Sequence, residues 1–254
     1  MSKQSIREIE ELIKSTCPSE REALYRLYEQ DTRSGVRKVI EKYQKQDEKM
    51  VLERERLKKM RFYEEKYEDC GYICGIDEVG RGPLAGPVVA GAVILPRDCE
   101  ILYINDSKQL SAAKREALYD EIMDKAVAVG IGMASPQRID EINILQATYE
   151  AMREAIRHLS VKPDILLNDA VTIPEVEIRQ IPIIKGDAKS VSIAAASIVA
   201  KVTRDRLMVE YASVLPGYGF ASNKGYGSGE HIEALKELGP TPIHRRSFIK
   251  HMLS

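Results

Sequence analysis

The 254-residue sequence predicts an α/β protein with a central mixed β-sheet flanked by helices, an N-terminal helical extension and a C-terminal helical part. Three observations carry that reading. Short apolar runs punctuated by Gly and Pro begin after Gly71 and read as strands. Stretches with apolar residues at three- and four-residue steps alternate with them further along and read as amphipathic helices. Residues 1–69 lack such runs and are densely charged in both signs.

In chain order, the extension over 1–69 is expected to hold two short helices and one long one. Ser5 to Glu8 and Ser19 to Glu22 each fit the Ser-x-x-Glu capping box, which closes orphan amides at a helix start. Val36, Val39, Ile40, Tyr43, Met50, Leu57 and Met60 then recur near helical spacing. These helices are read as a solvated appendage on the main domain, with contact to substrate as the alternative. The second region, 70–254, opens with expected strands in "YICGID", "VVAGAVIL", "EILYIND" and "AVAVGIGMA", followed by "DILLND" and "RQIPIIKG". Helices are expected in "SAAKREALYDEIMDKA", "ILQATYEAMREAIRHL", "SIAAASIVAKVTRDRLMVEYA" and "GEHIEALKEL". Early strands with short links suit an antiparallel meander, and later strand–helix alternation suits parallel crossovers, so a mixed sheet follows.

Composition narrows the function. A hydrophobic content of 44% can fill a globular core, and no apolar run approaches the roughly 20 residues that span a bilayer. The start "MSKQSIREIEELIK" is unlike a signal peptide, so a cytoplasmic protein with no membrane partner is expected, monomeric by default. Cys17, Cys70, Cys74 and Cys99 read as reduced thiols, and His158, His231, His244 and His251 lack zinc-site spacing. A net charge of −1 argues against a strongly basic nucleic-acid footprint. Lys185, Lys189, Lys201, Arg204, Arg206, Lys224, Arg245, Arg246 and Lys250 still allow a local positive surface.

Three acidic sites share one placement. Asp77 and Glu78 end "YICGIDE", Asp169 ends "DILLND", and Asp187 follows "QIPIIKG". Singly, each reads as a turn former or cap; together they suggest convergence at one sheet edge. Four carboxylates around one point repel each other unless divalent cations neutralise them. All-oxygen ligation favours Mg2+ or Mn2+ over zinc, and two such ions about 4 Å apart suit phosphodiester cleavage. Adjacent strand residues point to opposite faces, so Asp77 and Glu78 share a cluster only where the strand twists or ends. Next to them, "GRGPLAG" fits neither the P-loop nor the dinucleotide fingerprint. Gly80 and Gly82 allow a ligand to approach the backbone, and Arg81 offers charge to a phosphate; simple turn chemistry is the alternative.

"GIDEVGRGPLAGPVVAGAVIL", "NDSKQLS", "ILLNDAV", "KGDAKSVSIAAASIVAKVTRD" and "NKGYGSGEH", in this order over about residues 72–246, resemble bacterial ribonuclease HII, the type 2 ribonuclease H. The resemblance implies a ribonuclease H-like fold with a C-terminal helical part that clasps the duplex. It also implies Mg2+- or Mn2+-dependent cutting of the RNA strand of RNA/DNA hybrids and incision of duplex DNA at an embedded ribonucleotide, with no obligatory protein partner evident. It maps the acidic set onto Asp77, Glu78, Asp169 and Asp187, the ribonucleotide-reading loop onto Gly80, Arg81 and Gly82, and the sugar-packing tyrosine onto Tyr226. Glycine-exposed backbone groups can sense a 2′-hydroxyl, which agrees with that mapping. Lys108, with Lys185 or Lys201, is an expected phosphate contact, and Ser197 and Arg204 are further candidates. Water is the expected nucleophile, leaving 3′-hydroxyl and 5′-phosphate ends. Ribonuclease HIII, the sister type, and a hybrid-binding module without catalysis are the rivals.

Overall fold

The computed structural model describes residues 4–252, so the outermost residues of both expected regions, 1–3 and 253–254, lie outside it. The chain divides into two compact units, one ending at Arg56 and the other beginning at Leu57. In the first, α1 (Ile6–Ser15), α2 (Arg21–Leu27) and the start of α3 (Ser34–Met60) bury Ile9, Ile13, Tyr25, Val36, Val39, Ile40 and Tyr43 together. Arg21 and the Tyr25 hydroxyl both bind the Asp47 carboxylate, at 2.7 and 2.5 Å. The Ser5–Glu8 capping box forms at the start of α1. The one expected at Ser19 does not. Pro18–Glu20 forms a 3-10 turn instead, Ser19 lies inside it with its hydroxyl 3.1 Å from Cys17 Sγ, and α2 starts without a side-chain cap.

The second unit follows α4 (Phe62–Lys66) with five strands: β1 (Ile73–Val79), β2 (Val88–Ile94), β3 (Ala128–Ala134), β4 (Ile165–Asp169) and β5 (Arg179–Ile183). They form one sheet in the order β3-β2-β1-β4-β5. The meander β1-β2-β3 is antiparallel and the β1-β4 and β4-β5 pairs are parallel, which makes the sheet mixed as the connection lengths predict. "EILYIND" is not a strand. Ile101 and Ile104 are buried as anchors of an irregular loop, Tyr103 between them takes φ 68°, and a 3-10 turn follows at Ser107–Gln109. Apolar anchors spaced along a loop imitate the composition of a strand without its alternation.

Between β2 and β3 lies α5 (Ala112–Lys125), and α6 (Pro136–Arg157) links β3 to β4. Asn143 (φ 70°) breaks α6, and its Oδ1 accepts from the amides of Leu145 and Gln146, capping the second half. The 24-residue α7 (Val191–Val214) starts at Ser190, whose hydroxyl accepts from the Ile193 amide. One hydrophobic core lies between the sheet and α6, and a second between the sheet, α5 and α7. Approach is closest at glycines. A Cβ on Gly132 would stand 2.0 Å from the Ala151 carbonyl oxygen of α6, and one on Gly75 2.0 Å from the Ser192 carbonyl carbon of α7. The C-terminal part adds α8 (Phe220–Asn223), α9 (Gly229–Leu238) and α10 (Arg246–Ile249). Their cores take in Leu84 and Ala85, so the loop after β1 is anchored by its own side chains. Among the described residues no helix is long and apolar enough to cross a membrane.

Candidate active site

Register brings the carboxylates together. The parallel pair Ile76↔Asn168 is the last between β1 and β4, so Asp77 and Asp169 follow side by side at the carboxyl ends of these strands. Gly75 faces α7, and Asp77, two residues on, shares that face, where the Ser197 hydroxyl of α7 donates to it. Beyond Ile76, β1 stays paired with β2 alone as far as Val79, so Glu78 lies within the strand beside Asp77 and adds its charge to the burial that raises Asp77. Glu78 is ion-paired with Arg81 at 3.2 Å and still feels the charge of Asp169. Asp187 lies in the 3-10 turn Gly186–Ala188, which is stitched to β4 where the Gly186 amide donates to Asp169 Oδ1 at 2.7 Å.

The four acids form a chain of neighbours. Burial, then the adjacent Glu78 and Asp169 charges, pushes Asp77 well above the usual carboxylate range. Burial also raises Glu78, against the pull of Arg81. Asp187 rises through burial and through the charges of Asp106 and Asp169. Arg81 and Lys108 do not offset the raised values of Asp77, Glu78 and Asp187, and the donors are all hard oxygens, so the set fits a divalent cation such as Mg2+ or Mn2+. Among the described residues no three His, Cys, Asp or Glu side chains are drawn close enough to hold an ion as they stand. The fit therefore rests on donor chemistry and charge.

Lys108 supplies a cation here. Burial opposes its charge, but Asp106, Asp77, Asp187 and Asp169 outweigh that and hold it more firmly protonated. Sequence reasoning missed Asp106, which caps the Ser107–Gln109 turn by accepting from the Lys108 amide at 2.9 Å. An Asp before Ser-Lys is a recognisable Asx-turn signal. Ser107 is buried, and its hydroxyl meets that of Ser197 at 2.9 Å, extending the support under Asp77. Lys201 is bound by Asp205 at 2.7 Å and burial lowers its pKa, whereas Lys185 stands exposed with φ 57° on the turn before Asp187.

The two glycine loops form one body. Leu84 and Ala85 amides both donate to the Gly225 carbonyl, at 2.8 and 3.3 Å. Arg204, a candidate phosphate contact on sequence, is corrected here. It is fully buried and donates to the carbonyls of Pro87, Ala85 and Lys224, so its guanidinium is a clamp. Arg245, equally buried, donates to the carbonyls of Gly80, Arg81 and Gly86. Burial, then the like charge of Arg204, brings its pKa down to about 9. Removing this fork orphans three loop carbonyls, so Arg245→Met is expected to lower Tm by about 10 °C in thermal unfolding; an unchanged Tm would contradict the clamp. Tyr226 is 42% exposed, with the Arg204 guanidinium 5.8 Å from its ring centroid, so it is a surface ring on a glycine loop and not a core aromatic.

Under this loop, His231 and His244 are buried with Nε2 atoms 3.0 Å apart. Burial lowers both, and His231 and Arg246 add to the effect on His244, taking it to about 4. Since the ordinary imidazole value lies near 6.5, the unfolded chain binds more protons between pH 6.5 and 4. The resulting stability is full above pH 6.5 and is lost as pH falls towards 4. Between pH 7 and 5 the wild type is expected to lose about 3 °C more in Tm than His244→Gln. Equal losses in scans at the two pH values would contradict a neutral pair.

The crystal structure of ribonuclease H2 from Pyrococcus horikoshii OT3 matches with a TM-score of 0.59 and 30% identity, covering 72% of this chain and 97% of that one. Bst-RNase HIII in complex with Mn2+ shares the fold at a TM-score of 0.53 and 19% identity, over 72% of this chain and 69% of its own. Fold and strand-end carboxylates thus place the protein in the ribonuclease H class, type 2. Family models described as Ribonuclease HII and Ribonuclease HII N-terminal domain match residues 74–251 and 5–68. Ribonuclease HII of Lachnoclostridium phytofermentans is 73% identical over 227 residues, 89% of each chain. The chain belongs to the ribonuclease HII family, which decides between the two sister types raised by the sequence.

Proposed function

We propose that this enzyme hydrolyses the RNA strand of RNA/DNA hybrids and incises duplex DNA on the 5′ side of an embedded ribonucleotide, leaving 3′-hydroxyl and 5′-phosphate ends. The observation that carries the proposal is the juxtaposition, at the carboxyl ends of β1 and β4, of Asp169 and the three carboxylates that burial and its charge raise, Asp77, Glu78 and Asp187, with a glycine loop bonded to the Tyr226 loop. Asp77, Glu78, Asp169 and Asp187 would hold Mg2+ or Mn2+. When bound, such ions acidify a coordinated water and neutralise charge on a phosphodiester.

The chain's own residues do the rest. The Ser197 hydroxyl and the Gly186 amide fix Asp77 and Asp169 in orientation. Lys108, held cationic by the acids around it, is suited to a non-bridging phosphate oxygen. Gly80, Arg81 and Gly82 bring backbone groups to the ribose, where a 2′-hydroxyl distinguishes RNA from DNA. The exposed Tyr226 ring offers a flat face to a sugar lacking that hydroxyl. Attack by water, rather than by the neighbouring 2′-hydroxyl, forms no cyclic phosphate. The helical region over 1–69 is proposed as an accessory to the catalytic region over 70–254. A hybrid with labelled RNA tests the reading. Cleavage in Mg2+ or Mn2+ that stops with chelator is expected, and metal-independent cleavage or cyclic-phosphate ends would overturn it.

A further inference from the structure

We propose that Thr241, His244 and His231 form a positioning relay that sets Tyr226 for recognition of a lone ribonucleotide; this rests on the reading of Tyr226 given above. The direction of every hydrogen bond in the relay is fixed by its ends. His231, on α9, has Nδ1 2.8 Å from the Tyr226 carbonyl oxygen, and a carbonyl only accepts, so Nδ1 carries the proton and Nε2 the lone pair. His244 Nε2, 3.0 Å away, must then donate. That leaves His244 Nδ1 as an acceptor, and both the amide and the hydroxyl of Thr241 reach it, at 2.9 and 2.8 Å.

Both imidazoles sit among Tyr218 and Phe220, whose rings stack 5.3 Å apart. Two apolar side chains would fill that pocket without the cost of burying polar groups. They would leave the Tyr226 carbonyl to the Ser228 amide alone, 2.8 Å away, without the second donor that His231 provides. The segment that supplies the relay also grips the other loop. Gly86 donates to the Ile243 carbonyl at 2.8 Å, and Arg245 binds the Gly80 and Arg81 carbonyls. Residues 241–245 thereby set the ring of Tyr226 and the Gly80–Gly82 backbone relative to each other, the spacing a ribose and its 3′ neighbour would have to match.

The test uses the full chain and two substrates, a DNA duplex with one ribonucleotide and a uniform RNA/DNA hybrid. His231→Phe is expected to lower kcat/KM on the lone ribonucleotide about tenfold relative to the hybrid, chiefly through KM. His231→Asn, which keeps a donor near the Nδ1 position, should recover most of the loss. In a Tyr226→Ala background, His231→Phe should add nothing, because it acts through Tyr226. If His231→Phe does not fold, Thr241→Val, which deletes one donor, should shift the same substrate ratio in the same direction. Losses that multiply in the double variant, or that fall equally on both substrates, would overturn the relay. Wild-type cutting of the lone ribonucleotide by Tyr226→Ala would instead remove the underlying reading of Tyr226, and the relay with it.

Discussion

Asp77→Asn is expected to lower hybrid cleavage in Mg2+ by at least about 10³-fold while leaving hybrid binding intact. The same change should make the metal-free protein more stable. Asp77 is 5% exposed, and its carboxylate faces Glu78 and Asp169 with the Ser197 hydroxyl as a donor. Asn keeps the shape and an acceptor for Ser197 but removes a buried charge and two repulsions. A Tm a few degrees higher follows, by about 2–5 °C without metal. Added Mg2+ should then raise the Tm of the wild type and leave that of the variant nearly unmoved, since a cation that binds only the folded state stabilises it. Full activity of Asp77→Asn in Mg2+ would contradict the proposed ligand set. A fall in Tm would contradict the electrostatic description of the cluster.

Gly82→Ala is expected to fold like the wild type and to lose about 10²-fold in incision at a lone ribonucleotide. A Cβ at Gly82 meets nothing within 4 Å, so the free protein has no need of glycine there. Gly80 differs. It takes φ +90°, and its Cβ would stand 2.3 Å from Arg204 Nε, so Gly80→Ala should cost stability and activity together. Thermal unfolding alongside incision assays separates the two roles, one glycine required by the fold and the other by the substrate. Wild-type turnover by Gly82→Ala would show that no ligand approaches that backbone.

Strands and helices were legible where apolar residues run into the core, as in "VVAGAVIL" for β2, buried throughout, and "SIAAASIVAKVTRDRLMVEYA" for α7, buried from Val191 to Ala200. They were misleading where apolar residues serve a loop, as Ile101 and Ile104 do. The acidic set stood out because each member ends an apolar run, and sheet register alone brings Asp77 beside Asp169. What holds the loops was not legible. Arg245 binds Gly80 across 165 residues of sequence, and its partners are backbone carbonyls, which leave no trace in residue identity. Arg204 looked like a phosphate contact for the same reason. On α7, Ser197, Lys201, Arg204 and Met208 lie at helical spacing on one face, with Ser197 meeting Asp77, Arg204 meeting the loop carbonyls and Met208 joining the C-terminal core. Sequence gives that stripe, but only the folded chain shows that one end serves the chemistry and the other the scaffold.

The first measurement is incision, in Mg2+, of a labelled DNA duplex with a single ribonucleotide, with the product ends mapped and an all-DNA duplex and a ribonucleotide run as controls. A cut immediately 5′ of the ribonucleotide, leaving 3′-hydroxyl and 5′-phosphate ends, is the expected result. Cutting of the run alone, or no cutting with hybrid binding retained, would contradict the reading of the glycine loop beside the carboxylates as a ribonucleotide-selective active site.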